Sequence, residues 1–242
     1  MSKKDFVELS KKWFDKQAPV YDEKDVIIYS KYGKISCQNI FDYLKDKKYK
    51  KLLDIGCGTG LLIDLLSKEH KAEFTGLDLS PKMLEEANKK EIKNAKFFEG
   101  RSDDLPFEDN SFDIVTCSQS FHHYPETDKP LQEALRVLKP GGLYIISDTG
   151  VGPFKMFGVK LDDFIYRTFS NTGDCNISYL EKMGRDMEKN GFDIIHKEYL
   201  KLNPTKEDDI CYCPSHKFFF LYLSEIISCP HCHNKTINRG KL

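Results

Sequence analysis

The sequence lacks an excess of charge of either sign: 37 basic side chains are balanced by 38 acidic ones, and the formal net charge is −1. A dedicated nucleic-acid-binding protein usually carries a basic excess or a basic face. The balance therefore disfavours that class, although it says nothing about how the charges are distributed over the surface.

Long apolar runs are also absent. No stretch approaches the ~18 apolar residues that a membrane-spanning helix requires, and the nearest candidate, 218–227, is interrupted by Ser224 and Glu225. The first residues, Met1 to Phe6, lack the apolar segment of a secretory signal. We therefore expect a cytoplasmic protein without a membrane span, in which the eight cysteines are mostly reduced thiols.

Apolar strand patterns and helical patterns alternate regularly between residues 51 and 147. Because strands that alternate with helices form parallel sheets, this rhythm predicts an α/β fold with a Rossmann-like, doubly wound, mostly parallel sheet. Right-handed crossovers place the carboxyl ends of all such strands at one edge, where ligands bind. The predicted strands are 51–55, 73–77, 95–98, 112–117 and 143–147, and the predicted helices are 60–69, 81–90 and 127–138.

The flanks of this core predict further elements of a single domain, 1–242. N-terminal helices precede the core within 1–46. An aromatic-rich stretch in the segment 151–176 predicts a lid, or a hydrophobic helix that packs on the sheet. The remainder, 177–242, predicts a helix near 177–190, strands near 192–200 and 218–223, and a cysteine-containing tail. We expect the last strand to be antiparallel in the main sheet.

The most informative motif is the glycine run Gly56-Cys-Gly-Thr-Gly60, which directly follows the first predicted strand of the 50–150 core. Glycines let the backbone adopt conformations closed to other residues and approach a ligand closely. The helix that follows offers free N–H groups. The G-x-G-x-G spacing differs from the G-x-G-x-x-G of dinucleotide dehydrogenases. A tight strand-to-helix turn without a ligand is the alternative.

Asp78 lies at the end of the second predicted strand, where a carboxylate can accept hydrogen bonds from both hydroxyls of a ribose. The alternative role for Asp78 is to cap the following helix. Ser80 fills that role better, because it directly precedes Pro81 at the first helical position.

Four motifs in this order resemble those of the class I S-adenosylmethionine-dependent methyltransferases. The likeness is greatest to the small-molecule branch that includes the ubiquinone/menaquinone-type enzymes. Residues near the N-terminus, Phe14-Asp15, Ala18 and Tyr21-Asp22, resemble a short signature of that branch. The motifs are Asp54-Ile-Gly-Cys-Gly-Thr-Gly60, Gly76-Leu-Asp-Leu-Ser-Pro-Lys-Met-Leu84, Leu105-Pro-Phe-Glu-Asp-Asn-Ser-Phe-Asp113 and Leu138-Lys-Pro-Gly-Gly142.

The resemblance implies S-adenosylmethionine as cofactor and methyl transfer to a small-molecule acceptor as the activity. The three glycines line the methionine part, Asp54 lies near its amino group, and Asp78 holds the ribose. Leu79 and Met83 pack on the adenine, and Tyr21 closes over the cofactor. The implied cofactor-binding set is Tyr21, Asp54, Gly56, Cys57, Gly58, Gly60, Asp78, Leu79, Met83, Ser102, Asp103 and Ser118.

The third strand is followed by a departure from the family pattern. Related chains often have Gly-Asp-Ala where this sequence has Gly100-Arg101-Ser102, and the family's carboxylate accepts the adenine amino group. Arginine cannot accept that hydrogen bond. Either Asp103 takes the role from a shifted position or the contact is missing.

Two histidines, His122 and His123, follow the fourth predicted strand and are the candidate catalytic residues. A sulfonium methyl is already activated, so positioning for in-line attack and exclusion of water supply most of the catalysis. A base is needed only if the acceptor must lose a proton, and histidine suits that task. The alternative is that one histidine packs and the other bonds loop backbone.

The C-terminal cysteines allow three interpretations. Cys211, Cys213, Cys229 and Cys232 could hold a zinc ion, remain unpaired surface thiols, or bind a thiophilic acceptor such as arsenite. The C-x-C spacing of the first pair is unusual for zinc, and unpaired thiols are preferred, so no metal is predicted. Two other functions also remain open: methylation of RNA or protein, and cofactor binding without transfer.

Overall fold

The computed structural model describes residues 3–23, 28–148, 180–197, 210–213, 218–221 and 237–238. From the N-terminal helices to the fifth strand of the sheet, the elements follow the predicted order. Helices are α1 (Lys3–Gln17), α2 (Ile28–Leu44), α3 (Leu61–Ser67), α4 (Pro81–Lys89), α5 (Asp128–Val137) and α6 (Leu180–Lys189). Strands are β1 (Lys51–Ile55), β2 (Glu73–Asp78), β3 (Ala95–Glu99), β4 (Phe112–Ser118), β5 (Leu138–Ser147), β6 (Ile210–Cys213), β7 (Phe218–Leu221) and β8 (Ile237–Asn238). Short 3₁₀ turns span Ala18–Val20 and Phe121–His123.

The main sheet has five strands in the order β3-β2-β1-β4-β5, and every pairing within it is parallel. The α/β, Rossmann-like prediction is thereby confirmed. The strand order reverses direction between β1 and β4. This reversal leaves a crevice beyond the carboxyl ends of the strands, where ligands bind in open α/β sheets.

Alternate side chains of the central strands fill two separate cores, one on each face of the sheet. Leu53 and Ile55 of β1 join Val115 of β4 and the buried face of α5. Leu52 of β1 lies on the opposite face, in the core with Ile114 and with residues of α2 and α3. The sheet is therefore covered on both faces, which fixes the positions of the strand ends that carry the site.

Three predicted strands differ from the structure. The antiparallel last strand is not confirmed in the main sheet: 218–221 instead pairs antiparallel with β6 in a separate sheet of order β7-β6-β8. An apolar run predicts a strand but does not identify its partner. Residues 192–197 form no strand. Strand β5 begins at 138 rather than 143, because Leu138 pairs with Phe112 before a shift in register.

The predicted lid, 151–176, lies outside the described residues. None of the helices in the part of the chain that the structure describes is long and apolar enough to cross a membrane. The N-terminal segment from α1 through the first 3₁₀ turn to Asp22, called the strap below, packs along α4 and contacts the second 3₁₀ turn.

Candidate functional site

A cleft of about 1130 Å³, including its open mouth, lies at the carboxyl ends of β1, β2 and β4. Three named parts of the chain contribute to its lining: the glycine-turn wall (56–59, with Asp54 and Asp78), the histidine wall (residues within 119–126) and the strap. Residues 100–103 and residues of α2 also line it. Gly60 and His122 are the two predicted site residues that do not line this cleft. The predicted residues that do are Tyr21, Asp54, Gly56, Cys57, Gly58, Asp78, Leu79, Met83, Ser102, Asp103, Ser118 and His123.

The glycine turn has the left-handed backbone that its sequence predicts. Gly56, Gly58 and Gly60 have φ values of 73°, 52° and 74°. A Cβ at Gly56 would overlap the hydroxyl of Ser120, whereas a Cβ at Gly58 would meet nothing within 4 Å. Gly56 is therefore required by the fold itself, while the space beside Gly58 is free for a ligand that approaches the backbone.

Asp78 accepts two backbone hydrogen bonds, from the N–H of Gly58 to Oδ2 and from the N–H of Ser80 to Oδ1, each at 2.8 Å. Burial raises the pKa of Asp78 to about 6 even though these bonds favour the carboxylate. Ser80 caps α4, because its hydroxyl accepts the N–H of Met83 at 3.1 Å. Asp78 thus faces the cleft without serving as the helix cap.

Asp54 lies deeper, at 1% exposure, and its Oδ1 accepts a hydrogen bond of 2.7 Å from the hydroxyl of Thr116. Burial raises the pKa of Asp54 to about 7, and the negative charge of Asp78 raises it further. The two carboxyls therefore lie in one poorly solvated site. A cationic group of a ligand placed there would stabilise the ionised form of both.

Arg101 forms a bidentate ion pair with Asp103, with both N···O distances at 2.8 Å. Arg101 is more exposed than Asp103, whose side chain is 15% exposed, and both residues line the cleft. The pair thus places a carboxylate at the cleft within two residues of the position where the family pattern has its own.

The histidine wall depends on a residue that the sequence interpretation missed. Asp148, which follows β5, accepts the backbone N–H of His122 at 3.0 Å and lies 2.6 Å from its Nδ1. The ring of His122 lies 4.0 Å from the ring of His123, which in turn lies 5.0 Å from Phe14 of the strap, edge to face. The sequence did contain a signal for this residue, because Asp148 is a carboxylate that directly follows a predicted strand at the edge of the sheet where ligands bind.

The strap covers one side of the cleft with Phe14 and Tyr21. Burial raises the pKa of the Tyr21 phenol far above its usual value, and the charge of Asp78 adds to that effect. The hydroxyl of Ser80 donates to Asp15 at 2.6 Å, and the hydroxyl of Thr59 donates to Asp22 at 2.8 Å. The N-terminal signature quoted above contains both aspartates, but the sequence did not assign them these contacts.

The cysteines of the described core are buried free thiols: Cys37, Cys57 and Cys117. Cys117 is a small buried residue of β4. Within the described ranges, no group of three or more histidine, cysteine or acidic residues could hold a metal ion. Of the C-terminal cysteines, Cys229 and Cys232 lie outside those ranges, and the structure describes only the backbone of Cys211 and Cys213.

Residues 53–146 match the family model described as a methyltransferase domain. A demethylmenaquinone methyltransferase of Staphylococcus aureus (strain MRSA252) is 36% identical over 141 residues, which are 57% of this chain and 58% of that relative. The chain thus spans less than two thirds of the length of the curated relatives that it matches.

Solved structures share the fold. The YcgJ protein of Bacillus subtilis is 26% identical, with a TM-score of 0.57 over 65% of this chain and 68% of that one. Phosphoethanolamine N-methyltransferase 2 of Haemonchus contortus, solved with S-adenosyl-L-methionine, is 24% identical. Its TM-score is 0.59 over 79% of this chain and 44% of that one, and this likeness shows the fold alone.

Proposed function

We propose that residues 53–146 form a class I S-adenosylmethionine-dependent methyltransferase domain. On that premise, we propose that this chain transfers a methyl group to a small-molecule acceptor. The main observation behind the proposal is that the glycine turn and Asp78 line one cleft at the carboxyl edge of the sheet, beside the point where the strand order reverses. Gly58 offers open space beside the backbone, and Asp78 offers carboxylate oxygens to the same cleft.

The cleft fits S-adenosylmethionine in charge as well as in shape. The cofactor carries a cationic sulfonium and an ammonium group, and Asp54 and Asp78 supply two carboxyls at poorly solvated positions. Asp78 would hold the ribose hydroxyls, and Asp54 would lie near the ammonium group. The apolar side chains of Leu79 and Met83 would pack on the adenine.

The Arg101–Asp103 pair gives this chain its own candidate for adenine recognition. Asp103 lines the cleft, and the Arg101 fork holds its carboxylate in one orientation. We assign to Asp103 the adenine amino group, and to the backbone N–H of Ser102 the adenine ring. Asp103 would thus take the role of the carboxylate that the family pattern has at position 101.

The cofactor supplies an activated methyl group when it is bound, so the protein has to align the acceptor and exclude water. Phe14 and Tyr21 of the strap cover the cleft, and His123, whose ring contacts Phe14, also lines it. These aromatic surfaces suit an acceptor with an apolar or aromatic body, in keeping with the demethylmenaquinone methyltransferase relative. The acceptor would attack in line with the bond that breaks.

His123 is the histidine placed to take a proton from the acceptor, because its ring lines the cleft. His122 and Asp148 support it from behind: the Asp148 carboxylate fixes the backbone and ring of His122, and the two imidazoles are in contact. We therefore assign His123 as the candidate base. His122 and Asp148 are positioning residues.

The test is calorimetric titration of S-adenosylhomocysteine into the wild type, Asp78→Ala and Asp64→Ala. Asp64 is a matched control, because it is a carboxylate on α3 that pairs with Lys68 at the surface. We expect saturable binding by the wild type and the control. We expect affinity to fall roughly 100-fold or more in Asp78→Ala, since charge-assisted bonds to the ribose hydroxyls are lost.

Two outcomes would contradict the proposal at different levels. A folded wild type that does not bind S-adenosylhomocysteine rules out the methyltransferase assignment. Equal affinity in the wild type and Asp78→Ala leaves cofactor binding in place but shows that the ribose site is misassigned.

A further inference from the structure

A closed set of polar contacts joins the strap, the glycine turn and the end of α4. The Thr59 hydroxyl donates to Oδ1 of Asp22 at 2.8 Å, and Lys90 Nζ donates to Oδ2 of the same carboxylate at 2.6 Å. Lys90 Nζ also donates to the backbone carbonyl of Thr59 at 2.5 Å. Each of the three residues therefore contacts the other two.

Thr59 is the centre of this set and lies inside the glycine motif, between Gly58 and Gly60. It is 2% exposed, so its hydroxyl and carbonyl depend on protein partners. Asp22 and Lys90 hold both groups at once, which fixes the orientation of the Thr59 peptide. The neighbouring glycines have flexible backbones, and an external clamp restricts them where local sequence does not.

The same contacts hold the strap over the cleft. Asp22 ends the strap, and Lys90 is the C-terminal cap residue of α4. Asp15 anchors the strap at the opposite end of α4 through Ser80. The strap is thus fastened at both ends of one helix, while its side chains Phe14 and Tyr21 line the cleft between the two anchors.

We propose that Asp22 and Lys90 clamp Thr59 and act as positioning residues for the cofactor, holding the glycine turn in its binding conformation and the strap closed over it. The inference depends on the proposed function for the identity of the ligand. It assigns a binding role to residues that need not touch the cofactor. Loss of the clamp should weaken cofactor binding chiefly by faster dissociation, since the strap must lift for release.

The experiment measures binding and dissociation of S-adenosylhomocysteine, by calorimetry and stopped-flow fluorescence, in Asp22→Asn, Lys90→Met and Thr59→Val. Lys89→Met is the matched control, because Lys89 belongs to the same helix but pairs with Glu86 at the surface. We expect dissociation to be about tenfold faster or more in each clamp variant, because each loses at least one charge-assisted hydrogen bond. We expect wild-type behaviour in Lys89→Met. Thr59→Ser keeps the hydroxyl and should therefore release the ligand more slowly than Thr59→Val.

The double variant Asp22→Asn with Lys90→Met should be little worse than either single variant, since all three contacts form one unit. Dissociation rates in Thr59→Val, Asp22→Asn and Lys90→Met that equal the rate in Lys89→Met would overturn the clamp. Thr59→Val replaces only the hydroxyl of Thr59, whereas Thr59→Ser removes only its methyl group, so faster dissociation in the first variant alone is assigned to the hydroxyl once circular dichroism shows that both variants are folded. Absence of binding in the folded wild type would instead refute the proposed function.

Discussion

The glycine-turn wall and the histidine wall line the same cleft, but backbone geometry shapes the first and side-chain contacts shape the second. Left-handed glycines determine the path of the first wall, and its N–H groups bond to Leu77 and Asp78. The second wall begins at Gln119, a non-glycine residue with φ of 51° whose N–H bonds to Ser147. Asp148 then holds His122 through its backbone N–H and its ring, and the ring of His122 contacts His123.

This difference suits two walls that contact different ligands. A wall shaped by its backbone keeps its form whatever side chains surround it, which would suit the proposed cofactor, one shared by many enzymes. A side-chain wall changes with each substitution, which suits the part of the site that faces the acceptor. The two walls meet where Gly56 packs against Ser120, and disturbance of that contact should affect both.

Gly56→Ala should produce the largest effect, because the new Cβ would overlap the Ser120 hydroxyl and would also occupy a left-handed backbone. We expect a loss of about 2–5 kcal/mol in unfolding free energy and no measurable S-adenosylhomocysteine binding. Denaturant titration and calorimetry measure the two effects. Gly58→Ala is the control, since its Cβ meets nothing; it should cost only about 1–2 kcal/mol of stability.

Adding Ser120→Gly to Gly56→Ala removes the overlapping atoms and should recover part of the lost stability. Equal stability of Gly56→Ala and Gly58→Ala would show that the contact between the walls is unimportant.

Asp148→Asn should affect the histidine wall alone. The buried carboxylate accepts from the backbone and ring of His122, and an amide can accept at only one of its two ends. We expect a loss of about 1–3 kcal/mol in unfolding free energy. The nitrogen NMR signals of His122 should change, while S-adenosylhomocysteine affinity stays within about twofold of wild type, since Asp148 does not line the cleft. A large loss of affinity would contradict the separation of the walls.

Lower pH should weaken the binding of the ligand at the glycine-turn wall. The pKa of Asp78 is about 6 and that of Asp54 about 7, and the cofactor favours both carboxylates in their ionised forms. Binding therefore releases protons, and affinity should rise about tenfold or more between about pH 5 and about pH 8. Calorimetry in buffers of different ionisation enthalpy measures both the affinity and the released protons. A constant affinity would show that neither carboxyl contacts the ligand.

In the protein without ligand, Asp54 and Asp78 should make the free energy of unfolding change with pH in the opposite direction to the affinity. Their folded-state pKa values are above the usual carboxyl values, so their contribution to stability is greatest at low pH and declines as the pH rises through about 6 and 7.

Local patterns predicted most of the fold and one wall of the cleft. Five strands with apolar side chains, the glycine turn and the Ser80 cap depend on residues close together in the chain, so their sequence was sufficient. The early start of β5 was missed because Leu138 pairs with a distant strand across a register shift. The partner of β7 was missed for the same reason: an apolar run leaves the choice of neighbour open.

The sequence by itself determined the α/β architecture, the position of the glycine turn and the carboxylate at the end of β2, because backbone preference and strand period are local properties. Only the tertiary structure joined His122 to Asp148, 26 residues away, and Asp22 to Lys90, 68 residues away. Such pairs form when crossovers bring the ends of separate elements to one edge of the sheet. Spacing along the chain carries no record of that proximity.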